Sequence, residues 1–244
     1  MAVDRLLPRV FAHRCGGALA PENTLTGLSI AARLGVRAVE FDVMLSADGT
    51  PWLIHDQTLE RTTDGSGPVC AASDRLLGRL DAGVRHHPAF AGEPLPTLES
   101  AARLCRRLGL LANVEIKPAA GLEVLTGRVV AQQARDLWAG AASGLLLSSF
   151  SGEALAAARA AAPELAVGCL YQQVPDDWLV RCRDLAVFSL HCDAELVDDE
   201  VIDAARCAGI SVLCYTVNHR ECASSLFRRG VAAVFSDRID RVTG

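Results

Sequence analysis

Two stretches place charged side chains two residues apart in otherwise apolar runs: Glu40 and Asp42 in Glu40-Phe41-Asp42-Val43, and Glu115 and Lys117 in Asn113-Val114-Glu115-Ile116-Lys117. Residues i and i+2 of a strand face the same way, so each pair points to one face while Phe41, Val43, Val114 and Ile116 point to the other. Charges on the inner face of a buried strand are costly unless paired or bound to a metal. Three carboxylates with no cysteine and no obligatory histidine suit a hard divalent cation, Mg²⁺ or Ca²⁺, with water or substrate in its remaining positions. Two histidines stand at comparable places, His13 before Arg14 and His55 before Asp56. Their near-neutral pKa equips such a pair for general acid and general base work. Arg14 and Lys117 would neutralise an anionic group such as phosphate. One metal, two proton-transfer groups and two cations describe metal-assisted hydrolysis of a phosphate diester.

Lys117 stands out by composition as well. The 24 basic residues are 23 arginines and this one lysine. A bias towards arginine codons explains the arginines but not the position of the surviving lysine, and the two side chains are not equivalent as point charges for phosphate. Blander readings stand beside the catalytic one. Glu40 and Asp42 could form a structural ion-pair network with Arg14 and Lys117, and His13 could be a hydrogen-bonded core residue. His86 and His87, in a proline-containing loop, read as solvent-facing, His219 as a capping or surface residue, and His191 is undecided. Cys15 beside His13 lacks an orienting acid in any recognisable arrangement for a Cys–His nucleophile. Walker, Gly-x-Gly-x-x-Gly, Gly-x-Ser-x-Gly and His-Glu-x-x-His patterns are absent.

The elements that must position these residues alternate. Apolar or β-branched runs at 10–14, 38–45, 51–56, 111–117, 144–150, 166–171, 185–191, 210–217 and 231–236 read as strands. Helical stretches fall at 24–34, 97–108, 122–138, 152–161, 198–208 and 220–229. Such alternation means βαβ units and a parallel sheet. Nine strands exceed an eight-stranded barrel by one, and the loop around Asp48-Gly49 resolves the excess. It is too short for a parallel crossover, so 51–56 should return as an antiparallel hairpin, with Glu40 roughly opposite His55. The segment 57–96 has little periodicity beyond one short helix near 73–80, the mark of an inserted segment or lid at the barrel mouth. Sites in such barrels lie at the C-terminal strand ends. Those ends carry His13-Arg14, Glu40 and Asp42, His55-Asp56, Glu115 and Lys117, Ser149-Phe150, Tyr171, His191, Tyr215 and Asp237.

The 244 residues suit one (β/α)₈ barrel, and 50% hydrophobic with 22% charged residues supplies a core and excludes intrinsic disorder. A net charge of −5 argues against a nucleic-acid partner. No apolar run approaches the ~18 residues of a membrane span. Met1 to Arg14, broken by Asp4, Arg5 and Arg9, is not expected to be a signal peptide. Nine cysteines without zinc-site spacing, most of them in apolar stretches, read as reduced structural thiols of a cytoplasmic protein.

Taken together the motifs resemble the glycerophosphodiester phosphodiesterase family. They are Ala12-His13-Arg14 with Pro21-Glu22-Asn23-Thr24, Glu40-Phe41-Asp42-Val43, Asp48-Gly49, His55-Asp56, Arg61-Thr62-Thr63-Asp64-Gly65, Leu95-Pro96-Thr97-Leu98-Glu99, Asn113-Val114-Glu115-Ile116-Lys117, Ser148-Ser149-Phe150 and Tyr215-Thr216-Val217-Asn218. They follow family order across nearly the whole chain. The resemblance implies one domain, residues 1–244: an α/β (β/α)₈ TIM barrel of the phospholipase-C-like phosphodiesterase type, with 57–96 as the inserted segment. It implies hydrolysis of small glycerophosphodiesters to sn-glycerol 3-phosphate and an alcohol, a step of lipid and glycerol metabolism. His13 and His55 would be the acid–base pair, with Glu40, Asp42 and Glu115 holding one Mg²⁺ or Ca²⁺. Arg14 and Lys117 would contact phosphate, while Phe150 and Tyr215 would line the glycerol or the leaving alcohol. Cys15 stands where the family usually has glycine, and Tyr215 where tryptophan is usual. An intact-lipid phospholipase would need an apolar docking loop, for which 57–96 is too polar. A non-catalytic scaffold would have lost a histidine or a carboxylate. A sugar-phosphate isomerase would act on monoesters. The resemblance leaves a homo-oligomer open.

Overall fold

The computed structural model describes residues 7–242, so Met1–Leu6 of the stretch read for a signal lie outside the described residues. Strands Val10–Ala12 (β1), Ala38–Leu45 (β2), Pro51–Leu53 (β3), Leu111–Ile116 (β4), Leu145–Ser149 (β5), Ala166–Tyr171 (β6), Ser189–Asp193 (β7), Ser211–Tyr215 (β8) and Ala233–Ser236 (β9) build one sheet. Its order is β1-β9-β8-β7-β6-β5-β4-β2, and β1 pairs with β2 to close the ring. Those eight run parallel, while β3 hangs antiparallel from β2. This is the eight-stranded barrel with an added hairpin that the alternation requires. Helices Leu25–Arg33 (α1), Asp74–Leu77 (α2), Leu98–Leu108 (α3), Glu123–Leu137 (α4), Gly152–Ala161 (α5), Trp178–Asp184 (α6), Asp199–Cys207 (α7), Arg220–Arg229 (α8) and Ile239–Val242 (α9) fill the connections. Thr24, Thr97, Ser151 and Asp198 cap α1, α3, α5 and α7 through their side-chain oxygens.

The alternation along each strand sorts the core into two layers. Val39, Phe41, Val114, Leu147, Leu190 and Cys214 face outward against the helices. Phe11, Ala38, Leu146, Leu213, Ala233 and Phe235 face inward and plug the barrel. Above that plug the inward positions turn polar, with Glu40, Asp42, Asn113, Glu115 and His191 buried at 8% exposure or less. Segment 57–96 packs a core of its own, with Leu59, Val69, Leu77, Leu80 and Leu95 closing over Met44, Trp52 and Ile54 of the hairpin. Asp74 ties the two parts together by accepting bonds from Ser46, Thr50 and Trp52 Nε1. None of the described helices is long and apolar enough to cross a membrane.

Three local expectations are corrected. In the hairpin Val43 faces Leu53 and Leu45 faces Pro51, so the turn centres on Asp48 and the register runs one residue beyond that expected. The ladder fades at the bond from Ile54 N to the Asp42 carbonyl, and His55 does not lie across from Glu40. Second, β7 spans Ser189–Asp193, displaced from 185–191. Leu185 is the C-cap of α6 and Ala186 turns at φ +47°, so the apolar run Leu185–Phe188 is mostly a helix end and a turn. Third, α6 at Trp178–Asp184 falls where the sequence pattern predicts no helix. It is a short helix with no side-chain cap bond.

Candidate active site

All nine side chains expected at the site line one cavity of about 450 Å³ at the C-terminal end of the barrel. Glu40 and Asp42 come from β2 and Glu115 from β4, where Asp42 and Glu115 are register partners. One oxygen from each lies within 4.8 Å of the others. Burial, and after it the Asp42 charge, pushes the Glu40 carboxyl up from its usual 4.5 to about 8 and Glu115 up to about 7. Glu40 Oε1 is buried with no hydrogen-bond partner. An orphaned buried oxygen inside an all-oxygen donor set fits a hard divalent cation.

The flanking cations are held by the same carboxylates. Lys117 Nζ stands 3.3 Å from Glu115 Oε1 and 3.7 Å from Asp42 Oδ1. Arg14 places its backbone N–H 2.9 Å from Glu40 Oε2 and its Nε 4.0 Å from Asp42 Oδ2. Arg14 and Cys15 both adopt positive φ, +49° and +74°, the left-handed region that glycine enters most readily, so the position where the family usually has glycine keeps that geometry here with a fully buried thiol.

Each histidine has a carboxylate behind it. His13 Nδ1 lies 2.7 Å from Asp237 Oδ1, and His55 Nδ1 lies 2.7 Å from Asp56 Oδ1. A carboxylate on Nδ1 fixes the ring and leaves Nε2 available for proton transfer. Burial lowers the pKa of both. At His13 the Asp237 hydrogen bond and the Glu40 charge outweigh it and the net shift is upward, whereas at His55 burial prevails and the shift is downward. Phe150 is 50% exposed at the mouth, with Tyr215 edge-on at 6.0 Å.

Several residues without a role legible in the sequence hold these groups. Asn23 donates to Asp42 Oδ2 at 2.9 Å and accepts from the Asp42 N–H at 3.1 Å, gripping the carboxylate from behind. Glu22 bridges Arg14 and Arg61, and Arg61 continues to Asp56 behind His55. The inserted segment thus links the Arg14 side of the cavity to the His55 side. Glu22, Asn23 and Arg61 stand within the family-like motifs Pro21-Glu22-Asn23-Thr24 and Arg61-Thr62-Thr63-Asp64-Gly65, where the spacing alone does not reveal their partners. His191 also lines the cavity, fully buried over Phe235 with ring centroids 5.2 Å apart. Its Nε2 meets Ser189 Oγ at 2.9 Å and its Nδ1 has no partner.

Comparison with known proteins agrees with this architecture. Residues 13–241 match the model of the glycerophosphoryl diester phosphodiesterase family. A glycerophosphodiester phosphodiesterase of Caldanaerobacter subterraneus subsp. tengcongensis is 30% identical over 233 residues, 93% of each chain. An Oleispira antarctica phosphodiesterase, solved in complex with the product sn-glycerol-3-phosphate, superposes with a TM-score of 0.90 at 36% identity, covering 97% of this chain and 96% of that one. A glycerophosphodiester phosphodiesterase from Agrobacterium tumefaciens gives 0.79 at 25% identity, covering 97% and 99%. With the family matched from His13 to Arg241 and the fold shared end to end, the chain belongs to the glycerophosphoryl diester phosphodiesterase family, enzymes built here on a (β/α)₈ barrel.

Proposed function

We propose that the protein hydrolyses glycerophosphodiesters to sn-glycerol 3-phosphate and an alcohol, using one Mg²⁺ or Ca²⁺ held by Glu40, Asp42 and Glu115. The observation that carries this reading is the meeting, in one cavity, of three buried carboxylates, two carboxylate-backed imidazoles and two cations. The sn-glycerol-3-phosphate bound by the Oleispira antarctica relative supports the product assignment. A cation held by Glu40, Asp42 and Glu115 would supply Lewis acidity towards the phosphoryl group and would screen the three carboxylates from one another. Arg14 and Lys117 bring positive charge to the phosphate, where negative charge grows in the transition state. His13 and His55 move protons at Nε2, one to the departing alkoxide and one from the attacking hydroxyl. Asp237 and Asp56 hold the rings for that exchange. Phe150 and Tyr215 wall the organic part of the substrate. Buried free thiols such as Cys105, Cys182 and Cys192 support a reducing, cytoplasmic setting within the same reading.

Product analysis tests it. Incubation with a panel of glycerophosphodiesters should release sn-glycerol 3-phosphate and the free alcohol, with phosphate monoesters left untouched. Conversion of sugar phosphates without diester cleavage would contradict the reading.

A further inference from the structure

Within the cavity the cations Arg14 and Lys117 stand on one wall, and two further carboxylates, Asp193 and Glu195, stand on another with no cation of their own among the lining residues. In the ring of eight strands β7 stands four places from β2, on the far side of the barrel from the β1–β2–β4 wall that carries Arg14 and Lys117. There β7 and β8 end in the register partners Asp193 and Tyr215, and Glu195 follows Asp193 on the same rim. Glu195 forms no ion pair among the described residues. Asp193 spends one oxygen on the Glu195 N–H at 2.9 Å, and its other oxygen takes no partner there. Tyr215 anchors its hydroxyl on the Tyr171 carbonyl at 3.1 Å and stands at 79° to the half-exposed Phe150. Two carboxylates beside two aromatic rings are a setting for an organic cation, because ring faces and carboxylates both attract positive charge. A second observation points to a ligand along the same wall. His191, two residues deeper on the same face of β7, has a fully buried side chain that lines the cavity with Nδ1 unpartnered.

We propose that the β7–β8 rim is a subsite for a cationic alcohol, so that the enzyme prefers glycerophosphodiesters whose alcohol bears an ammonium group, such as choline or ethanolamine esters. This rests on the diesterase reading above. The substrate then lies across the barrel, its phosphate at the Arg14–Lys117 wall and its ammonium between Asp193, Glu195 and the rings. The cavity becomes a template for a zwitterion, and a neutral alcohol of similar size forgoes the carboxylate attraction.

The test is the ratio of kcat/KM for glycerophosphocholine and glycerophosphoethanolamine to that for glycerophosphoglycerol, in the wild type and in Asp193→Asn, Glu195→Gln and the double variant. Asparagine can still accept the Glu195 N–H, so the charge is removed with the turn retained. The expected ratio is about tenfold in favour of the cationic esters, falling to near one in the double variant. An even ratio in the wild type, or an equal loss on all diesters showing that the carboxylates grip the shared glycerol, would overturn the proposal. Calorimetry with choline alone separates this failure from that of the diesterase reading. Choline binding that the double variant loses, in a protein that cleaves no diester, would sink the reading and keep the subsite. Absence of choline binding in the wild type would sink the subsite.

Discussion

At the scale of single residues, Lys117 poses the sharpest choice. Its ammonium touches Glu115 and Asp42, as both a structural ion pair and a phosphate contact would require. If it serves phosphate, Lys117→Ala should lower turnover about 10²–10³-fold, the usual cost of removing one transition-state donor, with the melting temperature nearly kept. Lys117→Arg should recover little, since a planar fork does not replace a compact ammonium. A structural role predicts the reverse, a destabilised alanine variant and an active arginine one. The histidines are separable by leaving group. General acid assistance is worth roughly 10²–10⁴-fold and matters less for a nitrophenol ester, so either His13→Ala or His55→Ala should be partly rescued on that substrate. Equal losses on natural and activated diesters would contradict the division of labour. Residue types and i, i+2 spacing announced these side chains because charge inside an apolar strand is conspicuous. Asn23 and Glu22 were quiet, since a polar residue in a loop becomes informative only when its partner is in view.

At the scale of elements, the barrel strands were legible and their ends were not. The stretch from Leu185 to Phe188 is apolar enough to be a strand, yet its first residue caps a helix and its second turns, which moves the C-terminal end of β7 from His191 to Asp193. Period-2 patterning cannot see a positive φ. The inserted segment was equally opaque because it lacks a dominant repeat, although it carries its own core and latches onto the hairpin through Asp74. That latch makes a prediction. Asp74→Ala strands the Trp52 N–H and two hydroxyls, and should lower stability by about 2–3 kcal/mol in thermal or chemical unfolding. Turnover should fall as well, since His55 follows directly from the strand that Asp74 holds. Asp74→Asn should restore part of both, and an unchanged melting temperature in the alanine variant would show that the latch is ornamental.

At the scale of the whole molecule, the barrel's inner layers trade stability for a site. Phe235, Leu213 and Phe11 close the bottom, and the layer above buries Glu40, Asp42, Asn113, Glu115 and His191 where apolar side chains would pack. Burial lowers His191 from 6.5 to about 3, so it stays neutral in the fold while the unfolded chain protonates it near neutrality. Its contribution is present above pH 6.5 and is lost as the pH falls towards 3, at ~1 kcal/mol per pH unit. His191→Gln should therefore flatten the acid limb of the stability curve in denaturant titrations, and an unaltered limb would refute the assignment. The three carboxylates raise the central question, because three buried acids this close are tolerable only when neutralised. The decisive measurement is a metal titration of protein stripped by chelator, following cation binding and diester turnover in the same samples, with Glu115→Gln in parallel. Expected are no turnover in the stripped protein, recovery in proportion to one Mg²⁺ or Ca²⁺ per chain, and weakened binding with lost turnover in the variant. Full turnover in protein shown to hold no metal would contradict metal dependence.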